Sequence, residues 1–187
     1  MIRHMTVPVF MRRLMLPVAG ALALTAAPAR PARALDFGKL AGKATGAAGN
    51  AARDKAVKEA NARLLAEGRK DQCSFKTDSD QLMPGCDAKL KKLANTLIDV
   101  KKHLNISGVT SFKFEVSGHT DSSGKAEHNK ELSAKRAATI AHELESRGVA
   151  ASDIISVGMG SERPLVTPDD TPAKKAKNRR YEIQIRF

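Results

Sequence analysis

From about residue 72 onward, the sequence predicts an α+β domain with elements in the order β-α-β-α-β-β. Two segments carry apolar residues at helical spacing and are long enough to form helices of several turns. Four shorter segments have strand character, and glycines and prolines separate the elements. The chain has 187 residues and 42% hydrophobic content, which allows one domain with a substantial core plus extensions.

The first 34 residues have the pattern of a secretory signal peptide. Arginines near the start are followed by an apolar run over residues 14–24, and residues 32–34 (Ala-Arg-Ala) suit cleavage before Leu35. We therefore expect export to the periplasm, where association with the outer membrane is compatible with the sequence. The alternative is that the apolar run is kept as a membrane anchor, but it is short and contains a proline.

Residues 35–71 differ in composition and are rich in Ala, Gly and Lys. Glycine recurs every fourth residue from Gly38 to Gly46, with lysines between, which favours a flexible tether over a membrane-packing motif. A stretch of helix formers follows over residues 50–69 and has a weak apolar stripe. We expect a helix there, either isolated or packed, that ends near Gly68.

The predicted domain covers residues 72–187 and opens with a short strand over residues 73–76. A loop closed by Pro84-Gly85 follows, and then a helix over about residues 88–103. Its buried stripe consists of apolar residues three and four positions apart: Leu90, Leu93, Ala94, Leu97 and Ile98.

A second strand over residues 112–116 alternates apolar and polar side chains and leads into a loop with Gly118 and Gly124. The next helix is predicted to begin near Asn129 and to end at Gly148. Its inward face is polar at the start and apolar at the end. The polar members are Asn129, Ser133 and Arg136, and the apolar members are Ala137, Ile140, Ala141 and Leu144.

Two further strands complete the predicted domain. Residues 154–157 form the third strand, and residues 158–177 form a long polar loop with three prolines. Residues 181–187 alternate apolar and polar side chains, which is typical of a half-buried final strand.

The polar start of the second helix holds a candidate binding site. A guanidinium that faces a protein interior is costly unless it is paired. Arg136 occupies such a position, and Asp121, on the loop at the same end of the helix, is the nearest candidate partner in sequence. The two charges either close on each other or hold a ligand that carries both.

The motifs around these charges resemble those of the OmpA C-terminal-like peptidoglycan-binding domain, over roughly residues 72–187. The matching residues, in chain order, are Gly118-His119-Thr120-Asp121, Asn129, Leu132-Ser133, Arg136-Ala137 and Asn178-Arg179-Arg180. The resemblance implies a mixed four-stranded sheet with two helices packed on it. It also implies that the last strand lies antiparallel between the first and second strands.

The same resemblance implies non-catalytic binding of peptidoglycan through the diaminopimelate group of the stem peptide. Asp121 would meet the ligand's ammonium and Arg136 its carboxylate. Thr120 and Asn129 would complete the polar shell, and Arg179 would support the pocket. No bond is broken in such binding, so no cofactor or metal is expected. The alternative is an envelope interaction protein whose domain binds a protein partner rather than the cell wall.

Cys73 and Cys86 are the two cysteines of the chain. In an exported protein, an even pair at modest spacing favours a disulfide. This bond would join the first strand to the start of the first helix of the domain and contribute about 3 kcal/mol in the loop-entropy model. A redox or metal pair is the weaker interpretation, because the spacing is not CxxC.

The same residues allow two other interpretations, a metal site and a hydrolase. His119, Asp121 and His128 are potential metal ligands, but no fourth ligand stands at a fixed spacing. Ser117 with His119 and Asp121 supplies the residue types of a hydrolase, but no nucleophile elbow or oxyanion loop is visible. We therefore expect neither a metal site nor an enzyme.

The basic composition raises the possibility of nucleic-acid binding. The net charge is +12 and the pI is about 10.0. Loss of residues 1–34 would remove five arginines and no acid, which lowers the net charge to +7. Aromatic residues make up only 4% of the chain, so platforms for base stacking are scarce. We do not expect a nucleic-acid partner.

Overall fold

The computed structural model describes residues 47–187. The predicted signal peptide and the glycine repeat lie outside the described residues. The described elements are α1 (Ala47–Lys70), α2 (Asp87–Ile106), β1 (Lys113–Gly118), α3 (Ala126–Glu145), β2 (Ile154–Gly158), α4 (Pro172–Asn178) and β3 (Tyr181–Arg186). None of the helices between residues 47 and 187 has the length and apolar character needed to cross a bilayer.

The α+β class and the mixed sheet are confirmed. Three strands pair in the order β2-β1-β3. β1 runs parallel to β2, with Phe114 opposite Ile154, and antiparallel to β3, with Phe114 also opposite Ile185. The alternating residues Phe114, Val116, Ile183 and Ile185 are buried, so one face of the sheet forms the core.

The two predicted helical stripes supply the other half of this core. The fully or nearly fully buried members are Leu90, Leu93, Ala94 and Leu97 of α2 and Ala137, Ile140, Ala141 and Leu144 of α3. Ile98 is partly buried against them. Each buried leucine contributes about 2 kcal/mol relative to an exposed one. The polar face at the start of α3 is buried as well, as the sequence predicts.

The fourth strand is not confirmed. Residues 73–76 form no strand, and a single bridge joins Phe75 to Leu82. Within residues 47–187, β3 therefore pairs with β1 and with no second strand. The reason is local: Gln72 Nε2 donates to the Tyr181 carbonyl at 2.8 Å, and its Oε1 accepts from the Tyr181 N–H at 3.3 Å. A side chain thus takes the main-chain groups that a neighbouring strand would use.

Helix α1 covers the rest of this sheet edge, so the packed alternative for this helix is the observed one. Leu64 is fully buried, and Val57 and Ala60 pack against the core. Asn61 Oδ1 accepts a hydrogen bond from the Ile185 N–H at 2.8 Å. The predicted helix is confirmed, and it extends past Gly68 to Lys70.

A short helix, α4, interrupts the predicted loop over residues 158–177. Thr171 caps it, because its Oγ1 accepts a hydrogen bond from the Lys174 N–H at 3.3 Å, and Pro172 occupies the first turn. Both residue types are favoured at helix N-termini. Thr171 and Pro172 are therefore a signal in the sequence for the start of a helix. The end of α4 places Arg179 beside the end of β1.

Candidate ligand-binding site

Two glycines let helix α3 approach the ends of β1 and β2. A Cβ atom on Gly118 would lie 2.2 Å from the Ser133 carbonyl oxygen, and one on Gly158 would lie 2.5 Å from the Ala134 amide nitrogen. Ser133 Oγ in turn accepts a hydrogen bond from the Gly160 N–H at 2.8 Å. The carboxyl end of β1 is thereby held against the first half of α3.

The loop that follows β1 is fixed by main-chain hydrogen bonds on both sides. The His119 N–H donates to the Arg180 carbonyl at 2.8 Å, and the Thr120 N–H donates to the Gly160 carbonyl at 2.9 Å. These bonds hold the loop in an extended path beyond the strand. Asp121 follows directly and is placed at the open end of the sheet.

A cavity of about 700 Å³ lies beside this loop. The start of α3, the segment over residues 73–78 and the end of α4 form its other walls. All five residues predicted for the site line it: Thr120, Asp121, Asn129, Arg136 and Arg179. The fold therefore brings together residues that the sequence separates by up to 59 positions.

The carboxylate of Asp121 is paired with Arg179. Arg179 Nη1 donates to Asp121 Oδ2 at 2.7 Å, and the Ser123 N–H donates to Oδ1 at 3.0 Å. Burial by itself would raise the pKa of Asp121, but these hydrogen bonds outweigh it and hold the pKa below its ordinary value. Asp121 is therefore an anion at neutral pH.

Arg136 does not pair with Asp121. Its Nε donates to the Ser79 carbonyl at 2.8 Å and its Nη2 to the Lys76 carbonyl at 3.3 Å. The guanidinium also lies over the Phe75 ring, 5.1 Å from the centroid. Burial, and then the charge of Arg179, lower the pKa of Arg136, although an arginine remains charged in proteins. The buried guanidinium is thus stabilised by carbonyl oxygens and an aromatic ring.

Thr120 and Asn129 have different surroundings in the cavity wall. Thr120 Oγ1 is buried and has no hydrogen-bond partner within residues 47–187. Asn129 Nδ2 donates to the Ser123 carbonyl at 2.8 Å. Asn129 therefore shapes the loop, whereas the Thr120 hydroxyl is buried and unpaired within residues 47–187.

The three potential metal ligands have separate partners. His119 Nε2 lies 3.3 Å from Ser117 Oγ, and His128 Nε2 lies 2.6 Å from Asp78 Oδ1. Burial and the nearby charge of Arg180 lower the pKa of His119 to about 4, so its ring is neutral. Among residues 47–187, no three side chains of the ligating types form a metal-binding group.

Asp169 and Asn178 anchor the long loop to the site, and neither was predicted as a site residue. Asp169 accepts hydrogen bonds from the Ser122 N–H at 2.8 Å and from Asn178 Nδ2 at 3.0 Å. Hydrogen bonds from Ser122 and Asn178 lower the pKa of Asp169 to about 2. Asn178 belongs to the motif that carried the resemblance, whereas no sequence pattern pointed to Asp169.

The neighbouring arginines 179 and 180 have opposite roles. The Arg180 side chain is largely covered: its Nε donates to Glu182 Oε1 at 2.8 Å and its Nη2 to the Arg163 carbonyl at 3.0 Å. Arg179 is 46% exposed and reaches Asp121. Both arginines line the cavity, but Arg179 reaches Asp121, whereas Arg180 holds the loop before α4.

Cys73 and Cys86 are buried, adjacent free thiols in the structure. Cys73 Sγ lies 3.9 Å from the Cys86 carbonyl oxygen. Burial, and then the neighbouring Cys86, raise the pKa of Cys73 to about 12. The disulfide remains a prediction.

Several known proteins resemble this chain in sequence. A family model described as the OmpA family matches residues 74–179, which is more than half of the chain. The peptidoglycan-binding protein ArfA of Mycobacterium tuberculosis is 34% identical over 112 residues, covering 60% of this chain and 31% of that protein. The peptidoglycan-associated lipoprotein of Mesorhizobium japonicum is 33% identical over 100 residues, covering 54% of each protein.

A solved structure shares the fold. The peptidoglycan-associated lipoprotein from Burkholderia pseudomallei superposes with a TM-score of 0.51 at 25% identity, covering 62% of this chain and 89% of that chain. The match spans about a third of ArfA and about half of the Mesorhizobium lipoprotein, so it concerns a domain of these proteins. Since the family model covers more than half of the sequence, the chain belongs to the OmpA family.

Proposed function

We propose that this domain binds peptidoglycan non-covalently in the periplasm, through the diaminopimelate group of the stem peptide. The observation that carries the proposal is one cavity whose lining includes an ionised carboxylate, Asp121, and the guanidinium groups of Arg136 and Arg179. The relatives named as peptidoglycan-binding and peptidoglycan-associated proteins support this polymer as the ligand.

Asp121 binds the ammonium of the ligand. The free end of diaminopimelate presents an ammonium and a carboxylate on one carbon. Asp121 is anionic and lies at the open end of the sheet, with one oxygen fixed by the Ser123 N–H. An ammonium at Oδ2 would form a charge-assisted hydrogen bond in a partly desolvated site.

Arg136 binds the carboxylate of the same group. Two hydrogen bonds to main-chain carbonyls keep its guanidinium in place, while Nη1 has no hydrogen-bond partner in the described part of the chain. A planar, fixed guanidinium is well suited to a carboxylate. The Thr120 hydroxyl, which also lacks a partner within residues 47–187, would add a further hydrogen bond.

The expected affinity for one stem peptide is modest. The cavity opens at the surface, so salt weakens the charge pairs between the protein and the ligand. Retention on the cell wall would come from the many copies of the ligand on one polymer. Binding of this kind involves no covalent step, so we assign no catalytic role.

Export is part of the proposal. Residues 1–34 would be removed as a signal peptide, and the mature chain would begin at or near Leu35. The intact mass of the protein from the envelope fraction measures this directly. A mass that includes residues 1–34 would contradict cleavage and favour the anchored alternative.

Sedimentation with purified diaminopimelate-type sacculi tests the ligand. The protein should pellet with sacculi, and free meso-diaminopimelate should release it. Pimelate has the same carbon chain and both carboxylates but lacks the ammonium groups, so it should not compete. Equal release by both compounds, or no pelleting, would contradict the proposal. Binding to duplex DNA, measured at a series of salt concentrations, tests the nucleic-acid alternative. That alternative predicts binding that weakens steeply as the salt concentration rises.

A further inference from the structure

We propose that Arg179 sets the ligand specificity of the cavity by occupying Asp121 until a group with both an ammonium and a carboxylate replaces it. The inference rests on the proposed function and adds a criterion for which stem peptides are accepted. It starts from the 2.7 Å contact between Arg179 Nη1 and Asp121 Oδ2, which takes the place where a ligand ammonium would bind.

The guanidinium groups of Arg136 and Arg179 differ in how firmly they are held. Arg136 is 8% exposed and is held by the Ser79 and Lys76 carbonyls and by the Phe75 ring. The Arg179 side chain is 46% exposed, and within residues 47–187 it makes one hydrogen bond, to Asp121. Arg179 is therefore the cation that can move.

The charges of the cavity define what can displace it. Arg136 and Arg179 are close enough that the charge of Arg179 disfavours the charged form of Arg136. A simple amine at Asp121 would add a cation beside Arg136 and Arg179 and would bring no anion with it. A zwitterionic group brings its own carboxylate, so Asp121, Arg136 and the released Arg179 all retain a partner.

This arrangement predicts discrimination between two chemical classes of stem peptide. At the third position, diaminopimelate carries a terminal carboxylate beside its ammonium, whereas lysine carries the ammonium alone. Both ligands must compete with Arg179 for Asp121. Only diaminopimelate supplies an anion that offsets the displaced guanidinium, so Arg179 penalises lysine more than diaminopimelate.

Two synthetic stem peptides that differ only in diaminopimelate or lysine at this position provide the test. Their dissociation constants are measured by calorimetry for wild type, Arg179→Gln and Arg179→Lys. Arg63→Gln is the matched control, because Arg63 is 47% exposed and faces Asp99 at 3.9 Å, outside the cavity. Melting curves of all four proteins report on folding.

The wild type and Arg63→Gln should prefer the diaminopimelate peptide. In Arg179→Gln the lysine peptide should bind about fivefold more tightly than in wild type, which is the effect of one half-exposed ion pair. The affinity for the diaminopimelate peptide should rise by a smaller factor or should fall, so the preference for it over the lysine peptide becomes smaller. Arg179→Lys keeps a competing cation and should retain most of the preference.

The inference is overturned if Arg179→Gln changes both affinities by the same factor, or if it weakens the lysine peptide. Either result would show that Arg179 contributes positive charge to the cavity but does not set its specificity. Failure of the proposed function looks different, since wild type would then bind neither peptide. If wild type binds the diaminopimelate peptide and Arg179→Gln keeps the wild-type preference, this inference fails and the proposed function stands.

Discussion

Asp121 and Arg136 line the same cavity and do not bond to each other. Asp121 bonds to Arg179 at 2.7 Å, and Arg136 bonds to the Ser79 carbonyl at 2.8 Å. The two residues predicted as partners for one ligand are therefore held by separate parts of the chain. Replacing either one disturbs a different set of contacts, which makes their contributions to binding and to stability measurable separately.

Asp121→Asn should abolish most sacculus binding while the domain remains folded. The substitution keeps the shape of the side chain and removes the charge that an ammonium needs. Its structural partner, Arg179, is half exposed, so the free energy of unfolding should fall by only about 1 kcal/mol. Sedimentation with sacculi and thermal melting of the same preparation measure the two effects.

Arg136→Lys should reduce binding as strongly but should also cost stability. Lysine keeps the charge but lacks the planar fork and the Nε–H that reaches the Ser79 carbonyl. Loss of these hydrogen bonds should lower the free energy of unfolding by about 1–3 kcal/mol. A folded Arg136→Lys protein that pellets with sacculi like wild type would refute the assignment of the carboxylate to Arg136.

Asp169 makes stability depend on pH. Its pKa is about 2 in the folded protein, below the ordinary value of 3.8, because it accepts hydrogen bonds from Ser122 and Asn178. A depressed pKa stabilises the fold above the unfolded pKa, and this contribution is lost as the pH falls through the folded pKa. Asp169→Asn should therefore melt below wild type at pH 7.

The difference in melting temperature between wild type and Asp169→Asn should narrow as the pH falls from about 5 to about 2. Asp170→Asn is the matched control, because Asp170 is exposed and its carboxylate pairs with Lys174 at the surface. A difference between wild type and Asp169→Asn that stays constant over this range would show that the Asp169 charge does not stabilise the loop.

The sequence predicted those features of the fold that repeat along the chain. The stripes of α2 and α3 and the alternation in β1 and β3 are periodic, and the structure buries them as expected. At the edge where the fourth strand was expected, side chains bond to the main chain of β3: Gln72 to Tyr181 and Asn61 to Ile185. No periodic signal reports such a contact between residues 109 positions apart.

The residues of the candidate site were predictable, but their partners were not. A spaced motif identified Asp121, Arg136 and Arg179, and all three line one cavity. Sequence order made Asp121 the nearest candidate partner for Arg136 and left open whether the two charges pair with each other or hold a ligand. In the structure Asp121 pairs with Arg179, because α4 ends at Asn178 and places Arg179 beside the end of β1.

Cys73 and Cys86 should be joined by a disulfide in protein isolated from the periplasm. The two buried side chains are adjacent. In the entropic model, a bond that closes the loop between them would stabilise the folded state by about 3 kcal/mol. Alkylation under denaturing, non-reducing conditions should then label neither cysteine. Two labelled thiols in freshly isolated protein would contradict the bond.

The reduced protein gives a second measurement on the same cysteines. Because burial and Cys86 raise the pKa of Cys73 to about 12, that thiol stays protonated at neutral pH. The thiolate is the reactive form, so Cys73 should be alkylated slowly in the folded, reduced protein and rapidly once the protein unfolds. Equal rates in both states would show that Cys73 is accessible in solution.

Gly118 and Gly68 should respond in opposite directions to the same substitution. In Gly118→Ala the new Cβ would lie 2.2 Å from the Ser133 carbonyl oxygen, a main-chain atom that cannot rotate away. Relief of this clash requires α3 to move from β1, at a cost of about 3 kcal/mol or more. The movement would also displace Asp121 relative to Arg136, so the folded fraction should bind sacculi less well.

Gly68→Ala introduces a Cβ with no atom within 4 Å, inside α1. Alanine is the better helix former, so the free energy of unfolding should rise by about 0.5–1 kcal/mol and binding should not change. Chemical denaturation of the two variants beside wild type measures both effects. If Gly118→Ala were as stable as wild type, the close packing of α3 on β1 would not be what holds Asp121 and Arg136 in one cavity.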